Sequence, residues 1–229
     1  MELKVERLTK KYEEKIAVDD MSFSLEKGVT GLLGANGAGK TTLMRMLSGI
    51  LTPTSGEITY GEESVKSESY RNVLGYLPQD FGYYPEFSGR EFLMYFCSLK
   101  GLEKKAAKAR TAELLKLVDL EDVADKKIKK YSGGMKQRIG IAQSLINRPE
   151  VLILDEPTAG LDPKERVRFR NLIGDLGKES IVLLSTHIVS DIEHIADRLI
   201  MVKEGRISWQ GVWKDSDGSL EEFYLKQYE

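Results

Sequence analysis

One short glycine-rich segment constrains the fold of this chain more than any other feature. It fits the phosphate-binding pattern G-x-x-x-x-G-K-[ST], and it reads Gly34-Ala35-Asn36-Gly37-Ala38-Gly39-Lys40-Thr41. An apolar run of β type, Val29 to Leu33, precedes the segment, and an amphipathic helical pattern follows it. Glycines let backbone N–H groups turn inward around a polyphosphate, and the start of the following helix adds a favourable dipole. We therefore predict a nucleotide site that includes Gly34 through Thr42.

Phosphate chemistry assigns roles to two residues at the end of this segment. The Lys40 ammonium group would reach the β- and γ-phosphates, and the Thr41 hydroxyl would ligate magnesium. The helix that follows has a predicted apolar face made of Leu43, Met46, Leu47 and Ile50.

Composition narrows the class of protein. At 229 residues and 41% hydrophobic, the chain can bury one sizeable core. The net charge of −2 gives no basic field, so we expect no nucleic-acid partner. The lone Cys97 cannot form an internal disulfide, and its apolar surroundings favour packing over reactivity. The sequence has no signal-peptide pattern and no apolar run near the roughly 20 residues that span a bilayer, so we expect a soluble chain.

Hydrophobic periodicity divides the chain into three zones, which we interpret as one domain of residues 1–229. Residues 1 to about 80 indicate strands with a single helix, and residues from about 85 to 147 indicate a helical insert. Residues 151 to about 202 return to alternating strand and helix, and a short helix is predicted near 219–227. The predicted fold class is α/β with a helical insert. The individual predictions are helices from Ser88, at 104–118, 132–147, 163–177 and 188–196, and strands at 151–154, 181–185 and 199–202.

A second piece of phosphate chemistry lies at the end of a predicted buried strand. The run Val151 to Leu154 is followed by Asp155 and Glu156. In a phosphoryl-transfer site the first acid holds magnesium and the second orients the attacking water. Acids at strand ends are also common as plain loop starters, but the glycine loop favours the catalytic interpretation. The guanine-reading pattern Asn-Lys-x-Asp is absent, so we expect the base to be adenine.

The segment Tyr131 to Arg138 predicts a second anion cradle. Ser132, Gly133 and Gly134 stand at the start of a predicted helix, where they expose backbone donors at the positive end of its dipole. The alternative is an ordinary serine N-cap with glycines for the turn.

The order of these motifs along the chain resembles that of the ATP-binding cassette ATPases. The resemblance includes Gln79 after Gly75-Tyr76-Leu77-Pro78, Asp162 in Ala159-Gly160-Leu161-Asp162, and His187 after the strand Ile181 to Ser185. It implies a P-loop NTPase core with a parallel sheet, an N-terminal antiparallel β subdomain and an inserted α-helical subdomain at about 85–147. It also implies ATP and Mg²⁺ as the bound cofactors.

The resemblance implies a role for each matching residue. Tyr12 would stack on adenine, and Gln79 would contact magnesium or the attacking water. Asp155 would be the magnesium-side acid, Glu156 the catalytic base, and His187 the residue that holds the γ-phosphate. Ser132, Gly133, Gly134 and Met135 would form the signature that contacts nucleotide across a dimer, and Asp162 would lie in the dimer loop. Tyr131 and Met135 replace the outer residues of the family's common Leu-Ser-Gly-Gly-Gln.

The resemblance also implies partners. In this family the signature of one subunit closes over the glycine loop of another, so we expect a homodimer or a dimer with a close paralogue. A separate membrane permease would receive the work, which places the chain in the cytoplasm, peripheral on the inner face of the cell membrane. Residues 81–87 would dock a helix of that permease, because Gly82 and Pro85 interrupt any core periodicity. The alternative is that these aromatics pack the helical insert.

The residues in these motifs resemble those of the ATPases of bacterial exporters that pair with separate six-helix permeases. An importer ATPase is the second interpretation, although the end at Glu229 leaves no room for the regulatory domain of many sugar importers. Soluble cassettes of DNA repair or translation differ in having a long coiled coil or two cassettes in one chain. A sensor that binds nucleotide without turnover is disfavoured by the presence of Glu156 and His187.

Overall fold

Two β-sheets organise the fold in a computed structural model that describes residues 1–214 and 218–226. The strands are β1 (Leu3–Tyr12), β2 (Lys15–Leu25), β3 (Gly28–Leu33), β4 (Ser55–Tyr60), β5 (Glu63–Ser64), β6 (Leu74–Leu77), β7 (Val151–Asp155), β8 (Ile181–Ser185), β9 (Arg198–Lys203) and β10 (Arg206–Val212). The smaller sheet is antiparallel with order β2-β1-β4-β5, and the larger sheet has order β10-β9-β3-β8-β7-β6. Only the β9–β10 pair of the larger sheet is antiparallel.

Helices cover both faces of the larger sheet. They are α1 (Lys40–Leu47), α2 (Glu68–Val73), α3 (Gly89–Leu99), α4 (Lys104–Leu117), α5 (Gly133–Ser144), α6 (Pro163–Gly177) and α7 (Leu220–Lys226). Short 3₁₀ turns occur at Glu121–Val123, Ile128–Lys130 and Val189–Asp191. The helices α3, α4 and α5 fall between β6 and β7, as the helical insert predicts. The predicted α/β fold class, with an antiparallel subdomain and a parallel sheet, is confirmed.

The central strands are buried because they are apolar on both faces. Every residue of β7 and β8 is buried, which is typical of parallel strands covered by helices on each side. Leu152 and Leu154 join the core under the helical insert, whereas Val151 and Ile153 join the core under the antiparallel sheet. Parallel pairing brings the carboxyl ends of β3, β7 and β8 to one edge of the sheet. The segments that follow these three strands therefore lie together at that edge of the sheet.

One predicted helix is wrong. The segment 188–196 contains only the short turn Val189–Asp191 rather than an α-helix. Four of its nine residues are β-branched, which lowers helix propensity, and Ile192 is fully buried against the core. Packing of this short connection between β8 and β9 outweighs its weak helical periodicity.

Two elements in the described residues were not predicted. The helix α2 is too short for a periodic signal, and the Ser67 hydroxyl caps it by accepting from the Tyr70 N–H. The zone up to residue 80 therefore holds two helices rather than one. The strand β10 forms a hairpin with β9 through Glu204 and Gly205, both of which have positive φ.

Several element ends also differ from prediction, and the predicted helix 132–147 in fact spans Gly133–Ser144. The helix α1 ends at Leu47, and Ile50 is 67% exposed instead of lying on its apolar face. The C-terminal helix spans Leu220–Lys226, and the predicted end at 227 lies outside the described residues. Among residues 1–214 and 218–226, no helix has both the length and the apolar character needed to cross a bilayer.

Candidate functional site

Backbone atoms of two neighbouring hairpins contact the glycine loop, residues Gly34 to Thr41. It follows β3 directly and leads into α1. Gly39 adopts a φ of 108°, and a Cβ atom there would lie 2.2 Å from the Ala17 carbonyl oxygen. The Ala38 carbonyl accepts from the Gly205 N–H at 3.0 Å. The hairpin β1–β2 and the β9–β10 turn therefore fix the base of the loop, and only glycine fits at position 39.

Lys40 is folded back onto this loop. Its ammonium group donates to the Gly34 carbonyl at 2.6 Å and to the Ala35 carbonyl at 3.2 Å, and the residue is 7% exposed. Burial lowers the pKa of Lys40, while the nearby carboxylates of Glu156 and Asp155 raise it. The loop carbonyls thus accept hydrogen bonds from the buried Lys40 ammonium group. This group borders the cavity in which a polyphosphate would bind.

Asp155 and Glu156, the acidic pair, stand at the carboxyl end of β7. Asp155 is 1% exposed, and its Oδ1 accepts a hydrogen bond from the Ser185 hydroxyl at 2.6 Å. Glu156 is 7% exposed, and its Oε2 lies 2.7 Å from Nδ1 of His187. The acidic pair and His187 therefore form one connected polar cluster beside the glycine loop.

A cavity of about 450 Å³ joins the loop, the acidic pair and the first hairpin. Its predicted lining residues are Tyr12, Asn36, Gly37, Gly39, Lys40, Thr41, Thr42, Gln79, Asp155 and Glu156. The cavity wall does not include Gly34, Ala35 or Ala38, whose backbone groups hold the loop and Lys40 instead. It does include Lys15 and Ala17, which the sequence analysis missed. No sequence motif marks Lys15, which borders the cavity because it pairs with Tyr12 in the β1–β2 hairpin.

Tyr12 stands at the rim of this cavity. It is 44% exposed, and the Lys10 ammonium group lies 5.2 Å from the centre of its ring. One face of the ring is thus occupied by a cation, and the ring borders the same cavity as the glycine loop.

The signature segment, Ser132 to Met135, begins α5 and lies outside the cavity wall. The Ser132 hydroxyl caps the helix by accepting from the Met135 N–H at 3.1 Å. Gly133 is exposed, with no atom within 4 Å of where a Cβ would be, so its backbone is open to a ligand from another molecule. Gly134 packs against Glu165, because a Cβ atom at position 134 would lie 2.7 Å from the Glu165 carboxylate.

Tyr131 and Met135, which differ from the family's common signature, both pack on the core of the helical insert. Tyr131 is 4% exposed and donates its hydroxyl to the Val123 carbonyl at 2.9 Å. Met135 is partly buried against the core of the helical insert.

Asp162 is exposed and caps α6 by accepting from the Glu165 N–H at 2.8 Å. The signature segment and Asp162 are therefore preformed by helix caps on the outside of the molecule.

Comparison with known proteins identifies the family to which this chain belongs. The sequence profile described as ABC transporter matches residues 18–159, which is more than half of the chain. The chain belongs to the ABC transporter family. It is an ATP-binding ATPase subunit of that family.

Individual relatives agree with the assignment. The chain is 43% identical to the uncharacterized ABC transporter ATP-binding protein YxlF of Bacillus subtilis (strain 168), over 91% of this chain and 70% of that protein. It is 42% identical to the Nod factor export ATP-binding protein I of Burkholderia orbicola (strain AU 1054), over 86% of this chain and 66% of that protein. A solved structure of an ATP-binding subunit of an ABC transporter matches with a TM-score of 0.89 at 26% identity, and the match covers 100% of both chains.

Proposed function

We propose that this ABC ATPase hydrolyses ATP to drive export through a separate membrane permease. The single observation that carries the hydrolysis is the shared cavity, in which the glycine loop, Lys40 and the acidic pair meet. The export direction is supported by similarity to a relative named for Nod factor export. The remaining alternatives are an importer ATPase and a cassette that is not coupled to transport.

The donor set at the cavity fits a hydrated magnesium ion. Within the described part of the chain, Oδ2 of Asp155 is buried and has no hydrogen-bond partner. Thr41, Gln79 and Asp155 border the same cavity, and their side chains carry oxygen donors of the type that Mg²⁺ prefers. We assign Thr41, Gln79 and Asp155 to this ion, which supplies charge neutralisation on the β- and γ-phosphates when bound.

The chain's own residues then divide the chemistry of hydrolysis. Lys40 exchanges its loop carbonyls for phosphate oxygens, because a polyphosphate offers stronger, charged acceptors. Glu156 accepts the proton of the attacking water, and its hydrogen bond to His187 holds the carboxylate beside the glycine loop. We assign Nε2 of His187, the ring nitrogen that does not contact Glu156, to the γ-phosphate. Tyr12 stacks on the adenine at the rim of the cavity.

A second nucleotide-binding subunit completes the site in this proposal. Ser132 and Gly133 are exposed, and no residue of the signature segment borders the cavity of its own chain. A backbone cradle at a helix start binds anions, so Ser132, Gly133 and Gly134 suit the γ-phosphate of a facing subunit. ATP would hold the two subunits together, and hydrolysis would release them.

The docking site for the permease lies on the helical insert. The segment 81–87 divides into two parts, since Phe81, Tyr83 and Phe87 pack on the core whereas Tyr84 is 46% exposed. Tyr95 on α3 is 39% exposed and lies 5.5 Å from the Tyr84 ring. We assign the two tyrosines to the permease contact, which places the chain at the inner face of the cell membrane.

The test is reconstitution with a candidate membrane permease. We expect ATP hydrolysis in proteoliposomes to exceed that of the isolated chain and to drive substrate outward from the nucleotide side. The Glu156→Gln variant should abolish both. ATP-driven movement toward the nucleotide side would establish the importer, and stimulation by DNA or ribosomes instead of the permease would refute the transporter.

A further inference from the structure

A buried serine connects the two acids of the site. Ser185 ends β8, pairs with Asp155 of β7 in the parallel register, and is 0% exposed. Its hydroxyl donates to Oδ1 of Asp155 at 2.6 Å. The same hydroxyl accepts from the Glu156 N–H at 3.0 Å. One side chain thus contacts both members of the acidic pair.

The contact to Asp155 orients its carboxylate. Oδ1 is taken by the hydroxyl, whereas Oδ2 is buried and unpartnered among the described residues. Because a carboxylate has only two oxygens, fixing one determines where the other lies. Asp155 also borders the nucleotide cavity, so the unpartnered oxygen is the one left for a ligand there.

The contact to Glu156 supports an uncommon backbone conformation. Glu156 has a φ of 52°, in the left-handed region that residues other than glycine seldom adopt. Such a conformation persists only where the surroundings determine it. Here the Glu156 N–H is shared between the Ser185 carbonyl, at 3.2 Å, and the Ser185 hydroxyl. This backbone turn directs the Glu156 side chain to His187, two residues beyond Ser185.

We propose that Ser185 is a positioning residue for ATP hydrolysis, which fixes the Asp155 carboxylate and the Glu156 backbone relative to each other. The proposal rests on the roles assigned above to the acidic pair. Ser185 does not border the nucleotide cavity, and in this proposal it acts through these two residues. A serine that only filled a buried strand end would affect stability without affecting turnover.

The first experiment compares turnover in matched variants. Ser185→Ala should lower kcat by about ten- to hundredfold, the range for losing a hydrogen bond to a charged group, with little change in KM. Ser180→Ala is the control, because Ser180 directly precedes the same strand at its opposite end and donates to the Pro149 carbonyl at 2.7 Å. Ser180→Ala should keep the parent kcat. Equal kcat values in both variants would overturn the proposal.

A second pair of variants separates the hydroxyl from side-chain shape. Threonine and valine have nearly the same volume, but only threonine retains the hydroxyl. Ser185→Thr should therefore hydrolyse ATP at least about tenfold faster than Ser185→Val. Both variants add bulk at this fully buried position, so thermal melting first checks that they fold, and equal rates in the folded pair would contradict the proposal.

A binding measurement tests the orientation of Asp155 without turnover. In the Glu156→Gln background, calorimetry would compare the affinity for ATP with Mg²⁺ and with EDTA. Adding Ser185→Ala should leave the affinity in EDTA unchanged and reduce the gain from Mg²⁺ by about tenfold. An equal loss in both conditions would show a purely structural role. If Glu156→Gln and Asp155→Asn hydrolyse ATP like the parent, the assigned site itself is wrong, which is a different outcome.

Discussion

At the scale of single residues, Tyr12 shows how a surface side chain can be prepared for a ligand. The Lys10 ammonium group covers one face of its ring, and the residue borders the nucleotide cavity. A cation on one face leaves the other face for a planar base. The tyrosine hydroxyl has no part in this arrangement.

Tyr12→Ala should weaken ATP binding by about 1–3 kcal/mol, because base–aromatic stacking lies in that range. Tyr12→Phe keeps the ring and should bind ATP nearly as well as the parent. Calorimetric titration of ATP into the three proteins measures the difference. Equal losses in the alanine and phenylalanine variants would indicate a hydroxyl contact and contradict stacking.

The residues of the site could be predicted where a motif fixes their chemistry. The glycine loop and the acidic pair follow apolar runs, so their place at a sheet edge was readable from the sequence. Lys15 and Ala17 have no motif and reach the cavity only because the β1–β2 hairpin folds beside the loop. The link from Ser185 to Asp155 depends on strand register, which the sequence does not display.

At the scale of elements, the glycine loop depends on two glycines in different ways. Gly39 has a φ of 108°, and a Cβ atom there would lie 2.2 Å from the Ala17 carbonyl oxygen. Gly37 has a φ of 82°, but no atom lies within 4 Å of its Cβ position. The two positions therefore separate close packing from backbone conformation alone.

Gly39→Ala should lower the free energy of unfolding by about 3 kcal/mol or more, since it adds a backbone clash to the conformational strain. Gly37→Ala should cost only about 1 kcal/mol, from the left-handed conformation. Urea denaturation of both variants provides the comparison. Matching losses would mean that β2 does not support the loop as described.

Elements with strong periodicity were predictable, and short ones were not. The helix α3 begins with a complete capping box between Ser88 and Glu91, and its start at Ser88 was readable. The helix α2 has six residues, too few to show a repeat. The segment 188–196 shows the opposite error, since a helical pattern there gives way to packing between two strands.

The exposed tyrosines of the helical insert can be tested apart from the chemistry. The double variant Tyr84→Ala, Tyr95→Ala should weaken association with the permease at least about tenfold, because large aromatics dominate binding hot spots. Its ATPase rate in isolation should stay within about twofold of the parent, since neither residue borders the cavity. Co-purification in detergent and thermal melting provide the readouts.

Ile50→Ala supplies a matched control for this surface. Ile50 is 67% exposed and lies on a different part of the chain, beyond the end of α1. We expect it to co-purify with the permease as the parent does. Unchanged co-purification of the double tyrosine variant would remove these residues from the interface. A lowered melting temperature would assign them to the core instead.

At the scale of the whole molecule, the predicted site residues lie on two surfaces. The cavity holds the glycine loop and the acidic pair, and the signature segment stands outside its wall. A nucleotide bound in the cavity would thus meet the signature only of a second chain. We therefore expect ATP binding to cause dimerisation and hydrolysis at Glu156 to end it.

The most direct test is the assembly state of Glu156→Gln with and without ATP, measured by size-exclusion chromatography with light scattering. With Mg²⁺ and ATP the variant should elute at twice the 25.8 kDa mass of the chain and should show no hydrolysis. Without ATP it should be a monomer, and Lys40→Ala should remain a monomer in both conditions. A Glu156→Gln variant that hydrolyses ATP like the parent, or that binds ATP and stays monomeric, would contradict the account.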